Sequence, residues 1–274
     1  MIRGIALFLL ATSFITNICL AQFIEGSSPP KAKRVPHITE IHGKRLVDYY
    51  FWLRGKEKPA VIDYLKAENA YTAKMMASTK TLQKTLYDEM VGRIKESDLS
   101  VPERLGDYYY YSRTEKGKQY KYHYRKRGSL QEKEELILDE NLLAKGKEYF
   151  SLGAFELCPN QRLLAIACDF SGSERYVIRV KDLKTGRFLG DEITSACSDI
   201  AWAKDGKTFF YTVSNDAERP YRVYRHEIGT LPSRDAMVFE DKDEAFSVGV
   251  SRTKNWSWIV ISSGSSTSSE SWYL

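Results

Sequence analysis

Hydrophobic and turn-forming positions recur in the same order three times between Ser151 and Leu274. Leu157-Cys158-Pro159-Asn160-Gln161, Ala201-Trp202-Ala203-Lys204-Asp205-Gly206 and Ser251-Arg252-Thr253-Lys254-Asn255 read as one kind of turn. A β-rich run follows each: Leu163 to Cys168, Thr208 to Val213, and Trp256 to Ile261. Two of the runs return through Tyr176–Val180 and Tyr221–Arg225, closing on Gly186 and Gly229. A spacing of roughly 45 residues with several strands per unit is that of β-propeller blades. Propellers close with about 4–8 blades. This chain is expected to hold about three, and to end inside a strand at Trp272-Tyr273-Leu274.

Upstream the period changes. Pro59 suits a first helical turn, and Val61, Leu65, Ala67, Ala70, Tyr71 and Met75 fall near helical spacing. A second helix is predicted from about Lys80 to Ile94, with Leu82, Leu86, Met90 and Ile94 along one stripe that reads as a packing face. Strands begin after Val101. Tyr108 to Tyr111 are four tyrosines in a row, Glu115-Lys116-Gly117-Lys118 is a turn, and Tyr120 to Lys126 alternates aromatic and basic residues. That is a hairpin with one buried face. The Ser/Gly/Thr run Ser262 to Ser271 lies between apolar flanks and reads as a hairpin loop. The organisation expected is therefore residues 1–21 as a leader, 22–34 as a linker, 35–98 as a helical segment and 99–274 as an incomplete propeller.

Composition adds compartment. Arg3 supplies a positive end, Ile5 to Leu10 begin an apolar stretch, and Cys19 and Ala21 are the small residues a signal peptidase reads. Thr12, Ser13, Thr16 and Asn17 interrupt the stretch, which argues against a stable membrane span. The chain is thus expected to be exported, to the periplasm or beyond the cell. Removal of the leader would leave Cys158, Cys168 and Cys197, an odd number. A Cys158–Cys168 bridge is conceivable, but small buried core residues fit better. The net charge of +5 is spread among mixed signs, so no nucleic-acid footprint is expected.

Catalytic chemistry is sparse. An acyl-transfer hydrolase needs a nucleophile beside a base and a donor pair for the oxyanion. No Gly-x-Ser-x-Gly elbow occurs. None of the histidines, His37, His42, His123 and His226, stands near a Ser or Cys nucleophile in sequence, and a structural or surface role is expected of each. Asp241, Asp243 and Glu244 read as a surface turn. There is no P-loop, dinucleotide fingerprint or zinc spacing, so neither cofactor nor metal is expected.

A resemblance carries the reading further. His42-Gly43, Asp48-Tyr49-Tyr50-Phe51-Trp52-Leu53-Arg54, Tyr64-Leu65, Glu68-Asn69 and Tyr71 resemble the N-terminal region of the prolyl oligopeptidase family of serine peptidases, and within it the oligopeptidase B group. Val101-Pro102, Leu138-Asp139-Glu140-Asn141, Tyr149-Phe150-Ser151-Leu152-Gly153, Asp182-Leu183-Lys184-Thr185-Gly186, Arg219-Pro220-Tyr221 and Arg225-His226-Glu227-Ile228-Gly229-Thr230 agree in the same order. The resemblance implies a helical segment packed against a C-terminal α/β-hydrolase domain, with a seven-bladed propeller limiting entry to short peptides. The Ser-Asp-His triad and the acidic pockets that favour cleavage after Lys or Arg would lie in that hydrolase domain, which is expected to be absent from this chain. In such proteins the Asp169–Tyr176 region faces the domain boundary, which makes Glu174 and Arg175 candidates for inter-domain ion pairs. Two other readings stay open: a stand-alone exported binding module, and a non-functional truncated remnant.

Overall fold

The computed structural model describes residues 28–274, so the leader 1–21 and the first half of the expected linker lie outside the described residues. Two compact units result, one ending at Ile94 and one running Lys95–Leu274. The first begins with a hairpin that periodicity did not announce. Strands β1 (His37–Ile41) and β2 (Lys44–Asp48) pair through a turn in which His42 and Gly43 take left-handed φ of 51° and 72°. Two such residues in succession are what a tight hairpin turn requires.

Helix α1 (Pro59–Met75) begins at the proline that pre-sets its φ, and α2 is Lys80–Gly92. The apolar stripe of α2 is not buried. Leu82, Leu86 and Met90 are 58%, 46% and 59% exposed, because no described element covers that face. No helix among the described residues is long and apolar enough to cross a membrane.

The second unit is almost entirely antiparallel sheet. Strands β3 (Asp98–Leu99), β4 (Glu103–Leu105), β5 (Tyr108–Thr114), β6 (Tyr122–Arg127) and β7 (Glu134–Asp139) form the first sheet, followed by a short helix α3 (Glu140–Ala144). Asp98, expected to close the helical segment, instead pairs with Thr114 in this sheet. Next come β8 (Ser151–Leu157), β9 (Leu163–Asp169), β10 (Tyr176–Asp182) and the 16-residue β11 (Arg187–Trp202). The first half of β11 completes this blade against β10. Its second half begins the next blade, pairing with β12 (Thr208–Ser214), which continues through β13 (Pro220–Glu227) and β14 (Ala236–Glu240). A register shift between Ala196 and Ile200, beside Ser195 at φ 59°, marks the crossing. The last sheet is β15 (Ser247–Arg252), β16 (Ile259–Gly264) and β17 (Ser269–Tyr273). The expected Ser262–Ser271 loop is shorter than its composition suggests, since serines occupy strand positions on both sides of the turn. The third β-run likewise begins at Ile259 rather than Trp256, because Trp256 lies in the turn at φ 62°.

The three repeats coincide with the first hairpin of three blades, and their turns have one geometry. Cys158, Ala203 and Thr253 each donate their N–H to the carbonyl five residues on, at Leu163, Thr208 and Trp258. Oδ1 of Asn160, Asp205 and Asn255 accepts the N–H two residues ahead. The next residue is left-handed in all three: Gln161, Gly206 and Trp256. A side-chain acceptor at one fixed position therefore sets the turn.

Alternate residues of each strand enter different cores, as the two-residue period demands. In β9, Leu164, Ile166 and Cys168 pack with Ile137, Leu138 and Phe150 of the preceding sheet region. Ala165 and Ala167 face Ile178, Val180, Trp202 and Phe209. A third cluster joins Ala201, Phe210 and Val223 to Val248, Val250, Ile259 and Ile261. Blades thus stack face to face. Cys158 and Cys168 belong to different clusters on opposite faces, and both are buried free thiols, as is Cys197. Burial pushes the Cys168 thiol up to about 12.

Candidate functional site

The loop from β9 to β10, which holds both residues singled out as inter-domain contacts, is organised by Asp169. Its Oδ1 accepts the Ser171 and Gly172 N–H groups at 2.8 and 3.0 Å and the Ser171 hydroxyl at 2.9 Å, while Oδ2 accepts the Glu174 N–H at 2.9 Å. Burial alone would raise this carboxyl; the converging donors hold it below its ordinary value. The tight loop puts Glu174 at φ 59° and leaves it exposed. Arg175 reaches the next blade, with Nη2 and Nε 2.9 and 3.1 Å from Glu218 Oε1. Glu218 occupies the matching place in the β12–β13 loop, at φ 58°, where Asn215 Oδ1 accepts the N–H groups of Ala217 and Arg219. Arg175 is therefore paired within the propeller, and the half-exposed pair contributes about 0–1 kcal/mol.

The opening strands of three blades make a second site. β11 runs beside both β8 and β15. Together they wall a cavity of about 480 Å³ whose polar lining includes Glu156, Ser198, Asp199, Ser251 and Arg252. The strands approach so closely that a Cβ on Gly153 would lie 2.3 Å from the Tyr176 ring and 2.9 Å from Ser198 Cβ. Trp202 Nε1 donates to the Glu156 carbonyl at 2.9 Å, fixing one blade to the next. The Arg252 guanidinium lies 3.5 Å over the Trp256 ring and 4.0 Å from Glu156, and its Nε has no hydrogen-bond partner. Burial pushes both the Glu156 and Asp199 carboxyls up. Arg252 opposes the shift at Glu156, and the Val250 N–H opposes it at Asp199.

Sequence spacing did not single out this trio, although the repeat carries the signal. Aligned by the turn bonds, Arg252 stands where the other blades have Leu157 and Trp202, Glu156 where one has Ala201, and Asp199 where one has Ala154. Each charged residue replaces an apolar one on an opening strand.

The histidines adopt structural positions. His226 is fully buried, with Nδ1 2.8 Å from Asp235 and Nε2 3.0 Å from Asp191. The Tyr211 hydroxyl donates to Asp235 and the Gly229 N–H to Asp191. This cluster ties β11, β13 and the chain before β14 together. Nothing local in sequence reveals it, since Asp191 lies 35 residues from His226. His123 meets Glu140 at 2.6 Å and stacks on Phe155, and His37 stacks on Phe51. Among the described residues no group of His, Cys, Asp and Glu is arranged to hold a metal ion. Asp241, read as a surface turn, accepts from Ser263 Oγ at 2.5 Å and joins the chain just after β14 to β16 of the last sheet.

Stacked four-stranded blades with repeated opening turns define a β-propeller. The family model for the prolyl oligopeptidase N-terminal β-propeller domain matches residues 29–274, and the chain belongs to that family. It is 38% identical to dipeptidyl aminopeptidase BI of Pseudoxanthomonas mexicana, over 97% of this chain and 39% of that protein. It is 35% identical to Protease 2 of Moraxella lacunata, over 88% of this chain and 36% of that one. Oligopeptidase B from Trypanosoma brucei superposes with a TM-score of 0.83 at 32% identity, over 90% of this chain and 37% of that one. Oligopeptidase B from Leishmania major gives 0.84 at 29% identity. The chain thus spans about two-fifths of the length of the curated relatives it matches.

Proposed function

We propose that this chain is the substrate-gating part of an exported serine oligopeptidase resembling oligopeptidase B, acting on short peptides after Lys or Arg. The observation that carries this is the family match across residues 29–274, with relatives extending well beyond the matched region. The propeller selects by size and charge. Acyl transfer by a Ser-Asp-His triad belongs to a C-terminal α/β-hydrolase domain outside these 274 residues. The bare stripe Leu82, Leu86 and Met90 and the exposed Glu174 are the surfaces such a domain would cover, Glu174 through an inter-domain ion pair. Arg175 would join that contact only by sharing or leaving Glu218.

A second reading comes from the 38% identity to a dipeptidyl aminopeptidase, whose name implies attack from a free amino terminus. One assay separates them. A fluorogenic peptide ending in Arg is offered, with free or acetylated amino terminus, to this chain alone and to a mixture with the separately expressed hydrolase domain of a relative. Activity only in the mixture supports gating, and loss on acetylation selects the aminopeptidase. Activity of the chain alone, or silence in the mixture, overturns the proposal.

A further inference from the structure

We infer that the cavity walled by β8, β11 and β15 is a subsite for an organic cation of a peptide, an ammonium or guanidinium group held by Asp199 and Glu156. The inference rests on the peptide-handling reading above and adds a place and a chemistry within the propeller itself. Other carboxylates of this sheet system are satisfied. Asp169, Asp182, Asp205 and Asp241 each collect N–H or hydroxyl donors, and those donors hold them ionised below their ordinary values despite burial. Asp199 draws on the Val250 N–H and the Thr212 hydroxyl, yet burial still raises both it and Glu156, and both open onto the cavity.

Asp199 has no ion pair among the described residues, and Glu156 has only the distant Arg252. Arg252 is itself incompletely bonded at Nε and is drawn toward Trp256. Two carboxyl groups face one guanidinium on a partly dry wall. Partial burial disfavours the charged form of each carboxyl, and a ligand cation in the cavity would offset that cost. Three blades each bring one charged residue to this cavity, at three different positions of the repeat where at least one other blade has an apolar residue, which packing alone does not call for. The volume of about 480 Å³ admits a lysine or arginine side chain or a peptide terminus. Ser198 and Ser251 add hydroxyl acceptors for the remaining N–H groups.

The test is direct binding to the full chain by calorimetry at low salt. Three probes are used: acetyl-glycyl-arginyl-glycine amide, with a side-chain cation only; glycyl-norleucyl-glycine amide, with a terminal ammonium only; and acetyl-glycyl-norleucyl-glycine amide, with neither. At least one cationic probe is expected to bind about tenfold more tightly than the neutral one, and which one does so identifies the source of the cation. Asp199→Asn, nearly isosteric, should erase that preference. Glu156→Gln, at a more open position, should reduce it about threefold and serves if the first variant does not fold. Equal binding of all three probes, or a preference that survives both substitutions, overturns the inference. Activity in the mixed assay without cation preference here sinks the subsite and keeps the gating reading. Cation preference without activity in the mixture does the reverse.

Discussion

β9 and α2 both carry apolar residues at a regular spacing, yet they stand at opposite extremes. Every residue of β9 from Leu164 to Asp169 is buried, because sheets lie against both of its faces. No residue of α2 is buried, although Leu82, Leu86 and Met90 make a regular stripe. A sequence stripe specifies which surface wants cover. It does not specify that the cover comes from the same stretch of chain. β16 is intermediate: Ile259, Ile261 and Ser263 are buried while Val260, Ser262 and Gly264 are not, so one face is packed.

The contrast makes a steep prediction for truncations. Phe209→Ala, in the cluster between two blades, should cost about 4 kcal/mol in urea unfolding, whereas Leu86→Ala should cost under about 0.5. Equal costs would mean that α2 is packed in solution and would break the comparison. A comparable loss, about 3 kcal/mol, is expected from His226→Ala, which leaves Asp191 and Asp235 facing each other in a dry interior. His226→Ala behaving like a surface change would remove the cluster as a blade tie.

Asp169 sharpens the comparison through pH. Its folded pKa lies below the unfolded value of about 3.9, so its contribution is present above that value and is lost as pH falls through the folded one. Stability should therefore drop as the solution is acidified below about pH 4. Asp169→Asn should be less stable at neutral pH, by about 2 kcal/mol, and flatter on the acid limb. An unchanged acid limb would show that the loop donors do not hold the charge.

Smaller effects test the repeated turn and the blade cores. Gly206→Ala forces a side chain into left-handed backbone and should cost about 1 kcal/mol. Finally, Cys158, Cys168 and Cys197 should react with a thiol reagent only as fast as the sheets open. Rapid labelling of Cys168 in the folded protein would contradict the burial of β9.

Much of the sheet was legible because its signals are local. The Asn160, Asp205 and Asn255 turns carry their own acceptor, and Leu163–Cys168 reads as a buried strand on its residues alone. The first hairpin escaped because β1 and β2 are nearly wholly exposed and show no clean alternation; only His42-Gly43 marked it. The cavity trio escaped for a different reason. Glu156, Asp199 and Arg252 lie far apart in sequence and meet only once opening strands from three blades stand side by side, so no motif of fixed spacing contains them.

β11 carries one further consequence. A single strand of 16 residues serves two blades, irregular at Ser195 but without a loop, so their junction is extended backbone and not a separate connector. Neither blade opens without disturbing the ladder of the other. Amide protons on β10 and β12 should exchange with solvent in one concerted opening, and a protease probing the native protein should find no cleavage point between those blades.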